Sequence, residues 1–497
     1  MTAQTYDVAV VGAGLGGLAT ASLLAKAGRS VILLDRAPRA GGVCQGLIRE
    51  GYRFELGGAL LGGFTAGGPL ARLQERLGLS LPTQACEPGL QVASPTHRFS
   101  LFGDPDRLWS EVRREFPEDE TGWRALLSEL DTLARERDQV AAELPPLPPV
   151  GWSEKLRVWR ALTVRALLRA RAYAGGRLQK AQATPFRSTM QHHGLGRASQ
   201  QVLEACLWYL LLRNPGECGT LEAAVALQRV RQGVVAVPGG TTALVESLVA
   251  QFQRDGGQLR LDTPVTQCLV EHRRVAGVVL AAGETIHARW VVADVPPGVL
   301  MAGMLPPRSG WSRHRPVADG PWDATRVVQV MVLAVPAPLL PSELGAHCLI
   351  LPDAKRAAQD ANVLFVHTSP GWDQTQAPAG IRSLTVGRFV PPGGEAEGPL
   401  VASALFEGLD QVVPGIAGAA VYHELLPSAA LAEMWGRPAA AVQYRTTPRE
   451  WLGQRGLPHR MEWPGLLVVG EWTYPGRLLA GVAEGAMRVA ELITASA

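Results

Sequence analysis

Three glycines and an aspartate near the N-terminus have the types and spacing to hold a dinucleotide. Residues 6–36 read YDVAVVGAGLGGLATASLLAKAGRSVILLDR, in which Gly12, Gly14 and Gly17 form G-x-G-x-x-G. The first glycine permits a tight turn, the second lets backbone approach a pyrophosphate, and the third lets a helix pack closely on a strand. Leu15 and Gly16 stand where that helix would begin, offering free N–H groups and a positive dipole end to phosphates. Asp35 follows Gly12 by 23 residues, with Arg36 behind it. A carboxylate there can accept hydrogen bonds from both adenosine ribose hydroxyls, which disfavours a 2′-phosphorylated cofactor.

These residues serve that purpose only if strand, turn, helix and strand lie in register. Val8–Val11 is an apolar run of strand length, Gly16–Ala27 has helical patterning, and Ser30–Leu34 is a second strand ending in Asp35. A glycine-rich turn in an ordinary βαβ unit does not account for that aspartate. Beyond it come Gly41-Gly42, then Val43, and GYRFELGGALLGG at 51–63. A second glycine pair at this place is similar to FAD enzymes of the glutathione-reductase fold type. No second strand-linked G-x-G-x-x-G serves a nicotinamide, since the nearest match, Gly194-Leu195-Gly196, follows no strand and ends in Ser199. FAD alone is the expected cofactor.

The chain has 497 residues, 47% of them hydrophobic, enough for several cores. With 48 basic and 45 acidic residues it lacks the excess positive charge of a nucleic-acid binder. Lysine occurs only at Lys26, Lys155, Lys180 and Lys355, so the remaining 44 basic residues are arginine. Cys44, Cys86, Cys206, Cys218, Cys268 and Cys348 are scattered without metal spacing, which reads as reduced thiols and no metal site. The start lacks signal-peptide features, and the longest apolar run, VVQVMVLAVPAPLLP, is broken by Pro336. A cytoplasmic protein is expected, with peripheral attachment at the inner membrane face as a further expectation. The segment for that contact is about 153–175, where Leu156, Trp159, Leu162, Ala166 and Ala170 recur at helical spacing among Arg157, Arg160, Arg165, Arg169 and Arg171. The plainer reading is a surface helix packed on the core.

Five stretches organise the chain. Residues 1–80, 226–300 and 456–497 are expected to build one α/β domain. Within it, GVVAVPGGTTALVESLVAQFQRDGG supplies a turn and helix, and LRL, VTQCLVEH, VAGVVLA, ETIHA and RWVVADV read as strands. A strand at 465–469 and a helix at 478–495 complete it. Residues 81–225, read as helical, and 301–455, with strand runs at 326–335, 361–367 and 382–390, are expected to form a second, α+β domain with an antiparallel sheet. Pro-rich AELPPLPPVGW at 142–152 reads as a stiff spacer.

Together, the N-terminal fingerprint, Gly41-Gly42, GYRFELGGALLGGF, VPGGTTALVESL at 237–248 and GLLVVGEWTYPG at 465–476 resemble the FAD-dependent carotenoid desaturase and isomerase family, which includes phytoene desaturases and retinol-saturase-like enzymes. The resemblance covers both ends and the middle of the α/β domain and is thinner elsewhere. It implies a glutathione-reductase-type FAD-binding Rossmann domain, non-covalent FAD and an elongated apolar substrate tunnel reached from a membrane surface. It further implies that Gly57 and Gly58 let the flavin approach and that Val265 presents backbone to the adenine. Gly470 and Glu471 would hold the ribityl chain, and backbone at Val482 would meet the pyrimidine edge. Trp472 departs from the family, which usually has a small residue there.

The expected reaction is desaturation or isomerisation of carbon–carbon bonds in an apolar isoprenoid or polyene lipid. Two alternatives stay open: a flavin amine oxidase or protoporphyrinogen-oxidase-like enzyme, and a non-catalytic flavin carrier. Val43 in place of an arginine after the glycine pair, and lysine scarcity after residue 180, weigh against an amine oxidase, whereas GVAEGAMRVA leans towards one. No catalytic residue is assigned. His192 and His193 can change charge near neutral pH, and Tyr474 is comparable, but each also reads as a packing group.

Overall fold

The computed structural model describes residues 5–57, 59–141, 144, 147–149, 152, 154–160, 172–306, 324–393, 398–444 and 450–496. In chain order, the elements that position the site begin with β1 (Thr5–Val11), α1 (Leu15–Lys26), β2 (Val31–Leu34), β3 (Leu90–Ala93) and β4 (Arg98–Leu101). Helices α2 (Glu120–Ala141), α3 (Arg197–Leu211), α4 (Thr220–Arg231) and α5 (Gly240–Arg254) follow. Then come β5 (Gln258–Arg260), β6 (Val265–Glu271), β7 (Arg274–Leu280), β8 (Thr285–Ala293) and β9 (Ala324–Pro336). The chain finishes with β10 (His347–Ile350), β11 (Leu364–Thr368), β12 (Ile381–Val390), β13 (Tyr422–Leu426), β14 (Ala441–Tyr444), β15 (Leu466–Val468) and α6 (Leu478–Thr494).

A seven-stranded sheet has the order β5-β2-β1-β8-β7-β6, with β15 added beside β8. β1, β2, β5, β8 and β15 are parallel, and β6-β7 is an antiparallel flap. Both faces of parallel strands must be covered. The apolar runs of β1 and β2 therefore pack between α1, α5 and α6 on one side and residues such as Val278, Ile286 and Leu466 on the other. ETIHA and RWVVADV form one strand, β8, and not two, because its residues pair continuously with β1 from Thr5–His287 to Val11–Ala293. Glu55, in the FELGG motif, accepts a hydrogen bond from Thr241 N (2.6 Å) at the start of α5. It thereby ties the first stretch of this sheet to the second.

A second sheet of eight strands runs β13-β9-β12-β11-β10-β3-β4, with β14 on β9. It is antiparallel except for β10 beside β3. The region read as wholly helical thus opens with strands, short pieces with too few residues for a clear alternation in sequence. The long β9 buries nearly every residue on both faces, which is why it holds the longest apolar run of the sequence. One face is covered by 401–416, the other by α2, α3 and α4 around Trp123, Phe186 and Leu207.

Among the described residues no helix is long and apolar enough to cross a membrane, and no group of three or more His, Cys, Asp or Glu could hold a metal. All six cysteines are buried and unpaired. Of the segment read as membrane-facing, 154–160 is helical with Trp159 and Leu156 exposed, as is Trp152, while Val158 is buried. Its apolar stripe is therefore not packed inward over this turn. Leu162, Arg165, Ala166, Arg169, Ala170 and Arg171 lie outside the described residues.

Candidate functional site

The C-terminal ends of β1, β2 and β8 and the turn after β15 converge at the N-terminus of α1. Gly12 N donates to Leu34 O (2.8 Å), bringing the glycine turn beside Asp35. The Asp35 carboxylate accepts from Ala13 N (2.6 Å) and Ala37 N (2.8 Å), which fixes its orientation. Gly41 N donates to Ala13 O (2.8 Å), so the second glycine pair packs directly on the first. The spacing argument for Gly17 holds in detail: a Cβ there would lie 2.0 Å from Gly12 O.

A cavity, partly open to solvent, lies over this turn. Gly14, Leu15, Gly16, Asp35, Gly41, Gly42, Val43, Gly57, Gly470, Glu471 and Val482 all line it. Gly12 and Gly17 stand behind the wall as framework. Arg36 turns away, its Nη2 donating to Glu433 O (2.8 Å). Val265 pairs with Leu280 in the flap and does not line the cavity. Gly58 lies outside the described residues.

The cradle fits FAD. A Cβ at Gly14 would come 2.7 Å from Asp294 Oδ2, so the turn can pack on that carboxylate only without a side chain. Around it stand a helix N-terminus for anionic phosphates and the pre-oriented Asp35 carboxylate for ribose hydroxyls. The same lining includes Leu56, Phe365, Phe389 and Trp435, apolar surface that suits a planar ring system.

Several lining residues were not visible in the sequence. Asp294 ends β8, accepts from Gly17 N (2.7 Å) and has Gly12, Gly14, Gly16 and Gly470 packed around it. Burial raises its pKa to about 7 against the opposing Gly17 N–H, and Asp35 and Glu471 push in the same direction as burial. Its signal was present: like Asp35, it ends a parallel strand where such sheets bind ligands. Glu471 pairs with Arg437 (2.5 Å). It does not cap the last helix, which begins only at Leu478. The arginine comes from 34 residues upstream on another element, so no local pattern announced it. Cys44 lines the cavity with its thiol pushed up to about 12 by burial, chiefly desolvation, and is inert as a nucleophile.

Opposite the glycine turn, α3 and β11 contribute a hydrogen-bonded chain. Tyr209 Oη lies 3.1 Å from His367 Nε2, and His367 Nδ1 lies 2.9 Å from His347 Nδ1. Tyr209 and His367 line the cavity. Burial lowers His347 to about 4 and His367 well below its ordinary value, the latter helped by His347, so both rings are neutral at pH 7. A consistent arrangement has the Tyr209 hydroxyl donating to His367 Nε2 and His367 Nδ1–H donating to His347.

The histidines singled out from the sequence lie elsewhere. His193 follows the helix Phe186–His192 and pairs with Glu129 (2.6 Å), while His192 is solvent-exposed. Tyr474 is fully buried against Leu147 and Val158, beside Pro475. None of the three lines the cavity.

Trp472 forms part of a partition. Beyond it a second cavity, also partly open to solvent, shares Leu210, Val442, Glu471, Trp472, Arg477 and Leu478 with the first. None of the four lysines lines either space.

The chain matches the family model described as flavin containing amine oxidoreductase over residues 15–494. It is 24% identical to the neurosporene-forming phytoene desaturase of Rhodobacter capsulatus, covering 97% of this chain and 93% of that one. It is 23% identical to an all-trans-retinol 13,14-reductase of Danio rerio over 58% of this chain and 46% of that one. Among solved structures, an oxidoreductase from Methanosarcina mazei superposes with TM-score 0.66 at 16% identity, covering 97% and 99% of the two chains. A single-site mutant of putrescine oxidase gives TM-score 0.65 at 18% identity over 99% of both chains. At these identities the two structures are similar in fold.

Proposed function

The chain belongs to the flavin containing amine oxidoreductase family and is an FAD-dependent oxidoreductase, and we propose that it desaturates or isomerises carbon–carbon bonds of an apolar polyene or isoprenoid lipid. The observation that carries this reading is the wall facing the glycine turn. Leu210, Val328, Phe365 and Phe389 present an apolar surface there, and a second space lies beyond Trp472, with no lysine in either. The phytoene desaturases of similar sequence and nearly equal length support the same substrate class.

In this reading Gly14, Gly16, Gly41, Gly42 and Asp35 hold the dinucleotide's phosphates and adenosine ribose, while Gly57, Gly470, Glu471 and Val482 lie along the ribityl and ring portions. Bound FAD supplies a hydride acceptor. The protein orients an apolar chain, excludes water and removes a proton. Tyr209 Oη can accept that proton as its own passes to His367 Nε2, with His367 Nδ1–H shifting towards His347; burial disfavours an imidazolium at either ring, so this chain relays the proton and does not store it. The sheets support an FAD-binding part from 1–80, 226–300 and 456–497 and a substrate part from 81–225 and 301–455. Exposed Trp152, Leu156 and Trp159 support entry from a membrane surface.

Incubation of the flavin-loaded protein with phytoene-type polyenes in liposomes, followed by absorbance of the extracted lipid, tests the reading. A change in conjugation length or double-bond geometry supports it; lipid recovered unchanged with every electron acceptor tried removes it.

A further inference from the structure

The second cavity is apolar in outline but carries more positive than negative charge. Arg213, Arg229, Arg455 and Arg477 line it against two acids, Glu222 and Glu471. The acids are already engaged. Glu222 lies 3.1 Å from Arg455 Nε and 3.5 Å from Arg213 Nε, and Glu471 faces Arg437 in the first cavity. Arg455 also reaches Glu450 (2.8 Å).

Two guanidiniums make no direct ion pair among the described residues, although the Glu471 carboxylate acts on Arg477 at longer range. Arg229 donates only to the backbone oxygen of Arg477 (3.4 Å), and Arg477 donates to Val442 O (3.2 Å). Burial lowers the Arg229 pKa to about 10, with Arg137 adding to the fall, so it is still a cation at neutral pH. An enclosed cation beside apolar walls is unfavourable unless an anion joins it. Arginine's planar fork suits a carboxylate in particular. Leu210, Leu211, Val225 and Leu478 lie in the same lining, so chain and head group would be met together.

We propose that this cavity is a subsite for a carboxylate, held by Arg229 with Arg477, at one end of an elongated apolar substrate whose reactive part lies in the first cavity. The inference deepens the polyene reading and rests on it for the reaction: among apolar polyene and isoprenoid lipids, those ending in a carboxylate are the preferred substrates. Its binding half does not require turnover. Trp472, between the two spaces, would then set the distance from the acid group to the reacting bond.

The test is calorimetric titration of the flavin-loaded protein with laurate and with dodecanol, which share chain length and differ in charge. The expected result is that laurate binds at least about tenfold more tightly than dodecanol. In Arg229→Gln, with flavin content unchanged, that preference falls to about twofold or less. Equal binding of acid and alcohol by the wild-type protein overturns the proposal, as does a preference that survives in Arg229→Gln. A strong acid preference in a protein whose flavin no polyene reduces leaves the subsite standing and removes the polyene reading. Polyene turnover without acid preference does the reverse.

Discussion

Replacing Asp294 by Asn removes a carboxylate that the fold keeps out of water at the centre of the site while keeping an acceptor for Gly17 N–H. At ~1.36 kcal/mol for each tenfold in proton affinity, the rise from 3.8 to about 7 corresponds to roughly 4 kcal/mol. The sign follows from the direction of the shift. The folded state holds this proton more tightly than the unfolded chain, so stability is greatest below the ordinary carboxylate pKa. It falls as pH rises towards 7, because only the unfolded chain has released the proton. About three-fifths of the loss comes between pH 5 and 8. For 497 residues at ~2.1 cal/mol/K each, the unfolding entropy is about 1 kcal/mol/K. The Tm of Asp294→Asn relative to wild type should therefore climb by about 3 °C from pH 5 to 8, measured on the flavin-free proteins by scanning fluorimetry. Other titrating groups are common to both proteins and cancel in the difference. Parallel Tm profiles, or a difference that shrinks with pH, would refute the reasoning.

Asp35→Ala removes the oriented carboxylate at the end of β2 and should weaken FAD binding about 10- to 100-fold, from ~1.5–3 kcal/mol for hydrogen bonds to a charged group; flavin fluorescence titration reads it, and unchanged affinity contradicts the assignment. Arg437→Met strands the Glu471 carboxylate, of which 22% is exposed, and should lower Tm by about 2 °C, with Arg437→Met/Glu471→Gln recovering most of the loss. Tyr209→Phe breaks the chain to His367 and should cut the rate of substrate-dependent flavin reduction by about 10²-fold or more in stopped flow, while dithionite reduction stays unchanged. Equal rates for Tyr209→Phe and wild type would exclude the proposed proton route.

The half of the site that binds the dinucleotide was legible because its determinants are local. Gly12 to Asp35 is a single βαβ unit whose chemistry follows from spacing, and Gly41-Gly42 lies just beyond it. The returning strand β15 and helix α6 were equally readable, since GLLVV is an apolar run followed by a helical pattern. The other half depends on long-range pairing. Tyr209 and His367 meet across 158 residues, and Arg437 reaches Glu471 from a separate element. A single sequence holds no periodic signal for such contacts. His192 and His193 drew notice by adjacency alone, and a hydrogen bond with Glu129 accounts for one of them. Asp294 was missed for another reason: it looked like the end of an ordinary strand, and only the parallel pairing of β8 with β1 places it beside Gly17.

The central claim is that the flavin of this protein exchanges electrons with an apolar polyene. Anaerobic mixing of the oxidised holoprotein with a polyene lipid, or with a panel of primary amines, followed at the visible flavin bands, tests it most directly. The account predicts bleaching by the polyene, with one further double bond in the recovered lipid for each flavin reduced, and no bleaching by amines. Bleaching by an amine with release of hydrogen peroxide on re-aeration, and none by polyenes, would contradict it.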